Sequence, residues 1–292
     1  MAKNLRSLNG QVVAITGGGR GIGRATAAAL IAQGARVAIG DIDAPLAEKT
    51  ASELGAGTIG LPLDVTDRES FARFLDEVER QLGPLEVLVN NAGIMPIGPF
   101  AEETDACAQR LLDVNLHGVI LGSKLAVERF TPRGRGHIVQ LSSITGKIGF
   151  PGGATYAATK HGVVGLTEAL RSELRDTGIE LHQVLPIGVN TELYSGVSRA
   201  RGFPTAEPEE VAQAIVELLQ TGKFEIYVPK SVGALMRLKG LIPRRVAEGI
   251  IRLSKGDQLL LAPDRSARAA YDERMARTMT GAAPAEHEKS AA

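Results

Sequence analysis

The chain has 292 residues, of which 44% are hydrophobic and 23% charged, as in an ordinary soluble globular protein. Its 33 lysines and arginines balance 33 aspartates and glutamates, and this neutral total argues against nucleic acid as the main partner. The single cysteine, Cys107, excludes an internal disulfide and a cysteine-rich metal site, so no metal is expected.

Seven short apolar runs alternate with helix-length stretches along most of the chain. The runs cover residues 12–15, 35–39, 58–63, 85–89, 137–141, 180–185 and 224–228. The helical stretches between them cover residues 21–33, 67–81, 104–130, 154–177 and 208–221. Continuous apolar strands alternating with helices predict an α/β fold with a doubly wound parallel sheet, covered on both faces. Ligands bind such sheets beyond the carboxyl ends of the strands, so we expect one catalytic domain over residues 1–228 with its site there.

The first predicted strand leads into Thr-Gly-Gly-Gly-Arg-Gly-Ile-Gly, residues 16–23, which opens the first helix. The spacing is G-x-x-x-G-x-G rather than the commoner G-x-G-x-x-G. Glycines permit a tight turn and the close approach of a pyrophosphate, to which the helix N-terminus offers free N–H groups. A structural turn is the alternative for the glycines alone, but the strand–turn–helix setting favours a nucleotide. The predicted cofactor contacts in this loop are Gly17, Gly19, Arg20, Gly21, Ile22 and Gly23.

Asp41 ends the second apolar run, about 20 residues beyond the glycine loop, where an acidic residue binds the adenosine ribose hydroxyls. We place Asp41 and the adjacent Ile42 in the cofactor site. A carboxylate there would repel a 2′-phosphate, which favours NAD over NADP. Two observations leave alternatives open: Arg20 could bind a 2′-phosphate, and Asp41 could simply cap a turn.

Polar sequences follow the third and fourth strands. Asp64 and Val65 come directly after the third strand, and Asn90-Asn91-Ala92-Gly93 follows the fourth. Both lie at strand carboxyl ends, where adenine and ribose would bind, although each alone is a common turn sequence. The predicted cofactor contacts here are Asp64, Val65, Asn91, Ala92 and Gly93.

Ser143, Tyr156 and Lys160 form the last group. Tyr156 and Lys160 are four residues apart, so they share one face of a helix. Tyrosine has an unperturbed pKa of about 10, and a neighbouring ammonium favours the phenolate, which makes Tyr156 a candidate acid/base. Ser143 follows the fifth strand and could donate a hydrogen bond to a substrate oxygen. For the tyrosine and lysine alone, simple packing on a helix is the stronger interpretation.

Taken together, residues 16–23, Asn90–Gly93, Ser143 and Tyr156-Ala-Ala-Thr-Lys160 resemble the short-chain dehydrogenase/reductases over about residues 8–228. The resemblance implies a Rossmann-type fold with seven parallel strands. It also implies a catalytic tetrad of Asn115, Ser143, Tyr156 and Lys160. Further cofactor contacts are implied at Val114, Tyr156, Lys160, Pro186, Val189 and Thr191.

The resemblance assigns a role to each member of the tetrad. Ser143 would orient the substrate oxygen, and Tyr156 would exchange the proton. Lys160 would bind the nicotinamide ribose and lower the pKa of Tyr156, while Asn115 would help to hold a water that links Lys160 to solvent. A homodimer or homotetramer, formed through the helices at 104–130 and 154–177, is also implied.

Two departures from the family pattern stand out. Ile187 replaces the glycine usually found after the proline that follows the sixth strand, and isoleucine does not easily adopt a positive φ. We therefore expect a local difference in the nicotinamide loop. The ending also differs, and is similar to that of members acting on sterols, retinoids and other lipophilic alcohols.

The C-terminal part has a different pattern. Two short helices are predicted at 231–239 and 243–254, within a helical extension over residues 229–276 that packs on or beside the substrate cleft. Residues 230–255 include seven basic residues and one acidic residue. This segment could contact a membrane surface, or it could be a lid or dimer contact. A small, polar tail at 277–292 is expected to be disordered.

The chain start lacks the apolar run of a signal peptide, and no stretch has the ~18 apolar residues that span a bilayer. We therefore expect a cytoplasmic protein, peripheral at a membrane at most. The leading hypothesis is an NAD-dependent oxidoreductase acting between a secondary alcohol and a ketone, or an aldehyde, with a hydrophobic substrate. The alternatives are an NADPH-linked ketoreductase of acyl-thioester synthesis and a catalytically silent nucleotide-binding regulator.

Overall fold

A computed structural model describes residues 5–197, 205–238 and 260–280, together with Arg245 and Gly249. Its seven strands form one parallel sheet in the order β3-β2-β1-β4-β5-β6-β7, which confirms the predicted fold class. The strands are β1 (Val12–Thr16), β2 (Arg36–Asp41), β3 (Ile59–Pro62), β4 (Val87–Asn90), β5 (Gly136–Leu141), β6 (Ile179–Pro186) and β7 (Glu225–Val228).

Helices cover both faces of the sheet. They are α1 (Gly21–Ile31), α2 (Ala44–Leu54), α3 (Arg68–Leu82), α4 (Asp105–Leu112), α5 (Gly118–Phe130), α6 (Ala154–Glu173), α7 (Pro208–Thr221), α8 (Lys230–Leu238) and α9 (Arg265–Thr280). The sequence did not predict α2. Its buried residues are the small Ala47, Thr50 and Ala51, which give no marked apolar stripe. Its start is nonetheless signalled by Asp43, whose carboxylate accepts the Leu46 N–H.

The strands are apolar along their whole length because each face meets a separate core. In β1, Val13 and Ile15 pack into the core beneath α1 and α7, while Val12 and Ala14 pack into the core beneath α3 and α5. Full burial of a valine or isoleucine side chain contributes roughly 1.5–3 kcal/mol to the stability of the fold, so the side chains on both faces of β1 favour a strand that is covered on both sides. Because both faces of the sheet are covered, functional side chains can reach a ligand only at the ends of the strands.

The strand order reverses at β1, which lies between β2 and β4. The loops after β1 and β4 therefore leave the sheet towards opposite faces and open a crevice at its carboxyl edge. This crevice brings the glycine loop at residues 17–23 next to the Asn91–Gly93 turn, although the two are far apart in sequence.

The C-terminal part matches its predictions only in places. Helix α8 overlaps the first predicted helix, at 231–239, through Leu238. The second, at 243–254, lies outside the described residues apart from Arg245 and Gly249, which are helical. Helix α9 was not predicted as such, and it extends to Thr280, so the expectation of disorder is wrong for residues 277–280. Residues 281–292 lie outside the described part, as does most of the basic segment. Among the described residues, no helix is long and apolar enough to cross a membrane.

Candidate active site

A cavity of about 1630 Å³ occupies the crevice at the carboxyl edge of the sheet. Most of the residues predicted for the site line it: Gly17, Arg20, Gly21, Ile22, Asp41, Ile42, Asp64, Val65, Asn91, Ala92, Gly93, Val114, Ser143, Tyr156, Lys160, Pro186, Val189 and Thr191. Three predicted residues, Gly19, Gly23 and Asn115, lie behind this lining instead. The cavity is continuous from the glycine loop to the tyrosine, so one elongated ligand could reach both.

The glycine loop is packed too tightly for side chains at several positions, of which Gly17 and Gly23 are examples. Gly17 has a φ of +63°, and a Cβ there would lie 2.9 Å from Ala92 Cα. A Cβ on Gly23 would lie 2.2 Å from the carbonyl oxygen of Gly17. Arg20, which precedes α1, makes no side-chain cap, so the first N–H groups of the helix remain available at the cavity. This cradle suits a pyrophosphate.

Asn91 braces the glycine loop from the neighbouring strand. Its side-chain amide donates to the carbonyl oxygens of Thr16 at 2.8 Å and Gly17 at 3.0 Å. In return, the Thr16 hydroxyl accepts the N–H groups of Asn91 and Ala92, at 3.0 and 2.9 Å. Thr16 therefore has a structural role that the motif alone did not reveal, because its partners come from the turn after β4 and not from its own loop.

The carboxylate of Asp41 lies at the end of β2 and is held by backbone donors. It accepts the N–H groups of Gly19 at 3.0 Å and Asp43 at 3.1 Å. Burial raises the pKa of Asp41, and these two hydrogen bonds oppose the rise. The guanidinium of Arg20 is engaged by two other carboxylates, Asp43 at 3.2 Å and Glu192 at 3.1 Å. Glu192 also accepts a hydrogen bond from Arg274 of α9, at 2.6 Å. The mouth of this end of the cavity therefore carries three carboxylates, and its two guanidiniums, Arg20 and Arg274, are both paired with carboxylates.

Lys160 is almost fully buried on α6, and its ammonium donates to the carbonyl oxygen of Leu141 at 2.9 Å. Burial lowers the pKa of Lys160 to about 8. Its Nζ lies 5.7 Å from the ring centre of Tyr156, and both side chains line the cavity, as the four-residue spacing predicts. The Ser143 hydroxyl accepts the Thr145 N–H at 3.2 Å and donates to the Pro186 carbonyl at 3.4 Å.

The expectation that Lys160 lowers the pKa of Tyr156 is not met in this structure. Burial raises the pKa of Tyr156, and the neighbouring Ser143 hydroxyl only partly opposes this. The physical reason is that a phenolate loses its hydration in this enclosed site, while the ammonium of Lys160 is directed at Leu141. Burial therefore favours the neutral phenol at Tyr156.

Asn115 is fully buried within a π-helical turn, Asp113–His117, that interrupts the long helix predicted at 104–130. Its side-chain oxygen accepts the Ile94 N–H, and its amide donates to the Ile94 carbonyl, both at 2.8 Å. A Cβ on Gly93 would lie 3.2 Å from Asn115 Oδ1 and 3.8 Å from Lys160 Nζ. The side chain thus fixes the turn after β4 close to Lys160 and is not directed into the cavity.

Ile187 adopts ordinary backbone geometry. Ala56 is the one described non-glycine residue with a positive φ. The N–H of Ile187 donates to the Val228 carbonyl at 2.9 Å, which extends the pairing of β6 with β7 by one residue. Its side chain packs against the apolar cluster that includes Ile144 and Tyr227. The isoleucine is therefore accommodated without a positive φ at this position.

Helix α9 covers the other end of the cavity, and no sequence motif identified its contacts. Tyr271 lines the cavity, and its hydroxyl accepts the Met95 N–H at 2.7 Å. Arg268 is 1% exposed and reaches loops from two strands. Its guanidinium donates to the carbonyls of Leu193 at 3.2 Å, Ser195 at 3.0 Å and Met95. Arg268 therefore joins the loop after β4 to the loop after β6.

The family model for short chain dehydrogenases matches residues 11–202. A 3-alpha-(or 20-beta)-hydroxysteroid dehydrogenase of Mycobacterium tuberculosis is 38% identical over 72% of this chain and 83% of its own length. A 2-(S)-hydroxypropyl-CoM dehydrogenase 3 of Xanthobacter autotrophicus is 34% identical over 73% of this chain and 90% of its own. The human 17-beta-hydroxysteroid dehydrogenase 13 is 30% identical over 85% of this chain and 84% of its own.

Proposed function

The chain belongs to the short-chain dehydrogenase/reductase family, a family of nicotinamide-dependent oxidoreductases acting on hydroxyl groups, and on this premise we propose that it is an NAD-dependent enzyme for a hydrophobic secondary alcohol or its ketone. The observation that carries the proposal is the juxtaposition of Ser143, Tyr156 and Lys160 in the cavity that also contains the glycine cradle. The bound cofactor supplies the hydride acceptor or donor, and the chain's own side chains position the alcohol and move its proton.

The residues present fit a dinucleotide. Because Gly17 and Gly23 have no room for side chains, a pyrophosphate in this loop would lie directly against the backbone. The first turn of α1, whose N–H groups have no side-chain cap, faces the cavity. At the other end of the cradle, Lys160, Pro186, Val189 and Thr191 would hold the nicotinamide and its ribose. Asp64 and Val65, which follow β3, and Val114, in the π-helical turn, line the part of the cavity where the adenine would be enclosed.

In oxidation, Tyr156 would accept the alcohol proton while Ser143 donates a hydrogen bond to the same oxygen. Tyr156 must first become a phenolate, and its burial opposes this. The ammonium of Lys160 and the positive charge that a bound oxidised nicotinamide would supply would both favour the phenolate. Asn115 is a positioning residue: its hydrogen bonds to Ile94 hold the turn that contains Gly93 next to Lys160.

The preference for NAD rests on charge at the adenosine end. A 2′-phosphate would meet the carboxylates of Asp41, Asp43 and Glu192, whereas Arg20 already binds Asp43 and Glu192, and Arg274 already binds Glu192. Ribose hydroxyls could instead donate to Asp41. This arrangement speaks against the NADPH-linked ketoreductase alternative.

An apolar substrate is supported by the walls beside Tyr156. Met95, Phe150 and Leu193 line this part of the cavity, and α9 adds Tyr271 and Met275. Such a lining favours a ligand with few polar groups. Two of the similar proteins are named for hydroxysteroids, which agrees with this class. A homodimer or homotetramer and a cytoplasmic location remain parts of the proposal. For residues 230–255, a membrane contact and a lid or dimer contact remain the two alternatives.

Turnover of a panel of apolar secondary alcohols with NAD tests the proposal, with Tyr156→Phe as the matched variant. We expect kcat to fall by about 10²–10⁴-fold in Tyr156→Phe, because the proton acceptor is lost, while the Kd for NAD changes little. Wild type and variant that bind NAD equally and are equally inert on every alcohol would contradict it. That result would favour the silent regulator.

A further inference from the structure

A second cluster of ligand-type side chains lies at the end of the sheet opposite the active site. His137 is at the start of β5, and Glu180 and His182 are at the start of β6. The register pairs His137 with Glu180, and His182 is two residues further along, so all three side chains project from one face of the sheet. Their ligand atoms lie within 4.8 Å of one another.

The two imidazoles are spaced as ligands of one ion would be. His137 Nδ1 and His182 Nε2 face each other at 3.2 Å. Two nitrogens that bind the same zinc ion tetrahedrally, each about 2.0–2.1 Å from it, are about 3.4 Å apart. The pair therefore needs only a small movement to accept an ion between its nitrogens.

A backbone carbonyl orients the more buried imidazole. His182 Nδ1 lies 2.7 Å from the carbonyl oxygen of Lys223. A proton on Nδ1 donated to that oxygen leaves the Nε2 lone pair directed towards His137. Metal-binding histidines are oriented by the same kind of second hydrogen bond.

The carboxylate of Glu180 is the third ligand-type group of the cluster, and it is paired with Arg6. Two hydrogen bonds of 2.7 and 2.8 Å join Arg6 to the two carboxylate oxygens. Both side chains are partly exposed, at 48% for Arg6 and 36% for Glu180, and an ion pair at such a surface contributes little stability. Glu180 can therefore exchange the guanidinium for an ion bound between the two histidines.

We propose that His137, Glu180 and His182 form a binding site for a divalent transition-metal ion of the zinc class, which ties β5 to β6 at the end of the sheet remote from Tyr156. Two imidazoles and one carboxylate suit this class, with water as a fourth ligand, whereas Mg²⁺ and Ca²⁺ prefer oxygen ligands alone. The site goes beyond the proposed function, since no step at Tyr156 depends on it.

Calorimetric titration of the full, untagged, chelator-treated chain with zinc chloride near neutral pH tests the proposal. We expect one site of micromolar affinity or tighter in the wild type, and a rise in melting temperature that follows the zinc concentration. His137→Gln and His182→Gln should each weaken the affinity more than about 100-fold, because a ligand is lost. The matched control is His117→Gln, at an exposed histidine, which should leave the affinity unchanged.

Two surface variants keep the test decisive if the histidine variants fold poorly. Glu180→Gln should weaken zinc binding, and Arg6→Gln should strengthen it, because the carboxylate is then released from its competing partner. A histidine pair joined only by a hydrogen bond gives no such opposite changes. Failure of the wild type to bind zinc, or equal binding by wild type and Glu180→Gln, would overturn the proposal.

Discussion

The two ends of the cleft are built by different means. At the adenosine end, backbone and short side chains from consecutive elements make the site: the glycine loop between β1 and α1, and Asp41 at the end of β2. At the substrate end, a helix from the C-terminal part closes the cavity through Arg268 and Tyr271. The first end is determined locally and the second by contacts between distant segments. Substitutions at the two ends should therefore change different measured quantities.

The largest effect is expected at the substrate end, from Arg268→Met. The substitution keeps much of the side-chain volume but leaves three carbonyls in the two substrate loops without their donor. Each buried group left without a partner costs about 1–3 kcal/mol, so we expect the free energy of unfolding to fall by about 3 kcal/mol. We also expect kcat/KM for the alcohol to fall more than about tenfold. Denaturant unfolding and steady-state kinetics measure the two effects.

Arg265→Met provides the control for this variant. Arg265 is on the same helix but is 85% exposed, and its ion pair with Glu102 is 3.5 Å long. Neither stability nor kcat/KM should change measurably in it, because such pairs contribute little. The Kd for NAD should be unaffected in both variants. An Arg268→Met variant that loses NAD affinity as much as substrate turnover would show that the two ends are not separate.

A smaller effect, at the opposite end, is expected from Asp41→Asn. The amide oxygen can still accept the Gly19 N–H, so the glycine loop should keep its shape, although the Asp43 N–H loses its acceptor. The charge that repels a 2′-phosphate is gone. We expect the ratio of kcat/KM with NAD to that with NADP to fall about tenfold, since a hydrogen bond to a charged group is worth about 1.5–3 kcal/mol. The KM of the alcohol should stay constant. An unchanged cofactor ratio would remove Asp41 from the proposed site.

The smallest effect is expected from Tyr271→Phe. The ring still lines the cavity, and only the acceptor of the Met95 N–H is lost. One neutral hydrogen bond contributes about 0.5–1.5 kcal/mol, so the KM of the alcohol should rise by roughly 2–10-fold with little change in kcat. A large loss of kcat with an unchanged KM would instead indicate that the Tyr271 hydroxyl takes part in the proton transfer at Tyr156.

The difference between the two ends also explains what the sequence could predict. The apolar runs, the glycine loop and the four-residue step from Tyr156 to Lys160 are local patterns, and each was found where the structure has it. Arg268 and Tyr271 have no local signature, because their partners lie in loops far away along the chain.

Three other features were missed or misjudged for related reasons. Helix α2 buries small residues and so lacks an apolar stripe. The pKa of Tyr156 depends on how deeply the ring is enclosed, which residue spacing cannot reveal. Nor can the approach of His137 to His182 be foreseen, because it arises only from the register of two parallel strands.

The most direct test of the central claim follows the hydride itself. An apolar secondary alcohol deuterated at its carbinol carbon is incubated with the enzyme and NAD, and the reduced cofactor is analysed by NMR and mass spectrometry. Direct transfer between the two ligands of one cleft predicts a single deuterium at C4 of the nicotinamide, with no exchange with solvent. An enzyme that binds NAD and these alcohols but leaves the cofactor oxidised and free of deuterium would contradict the account.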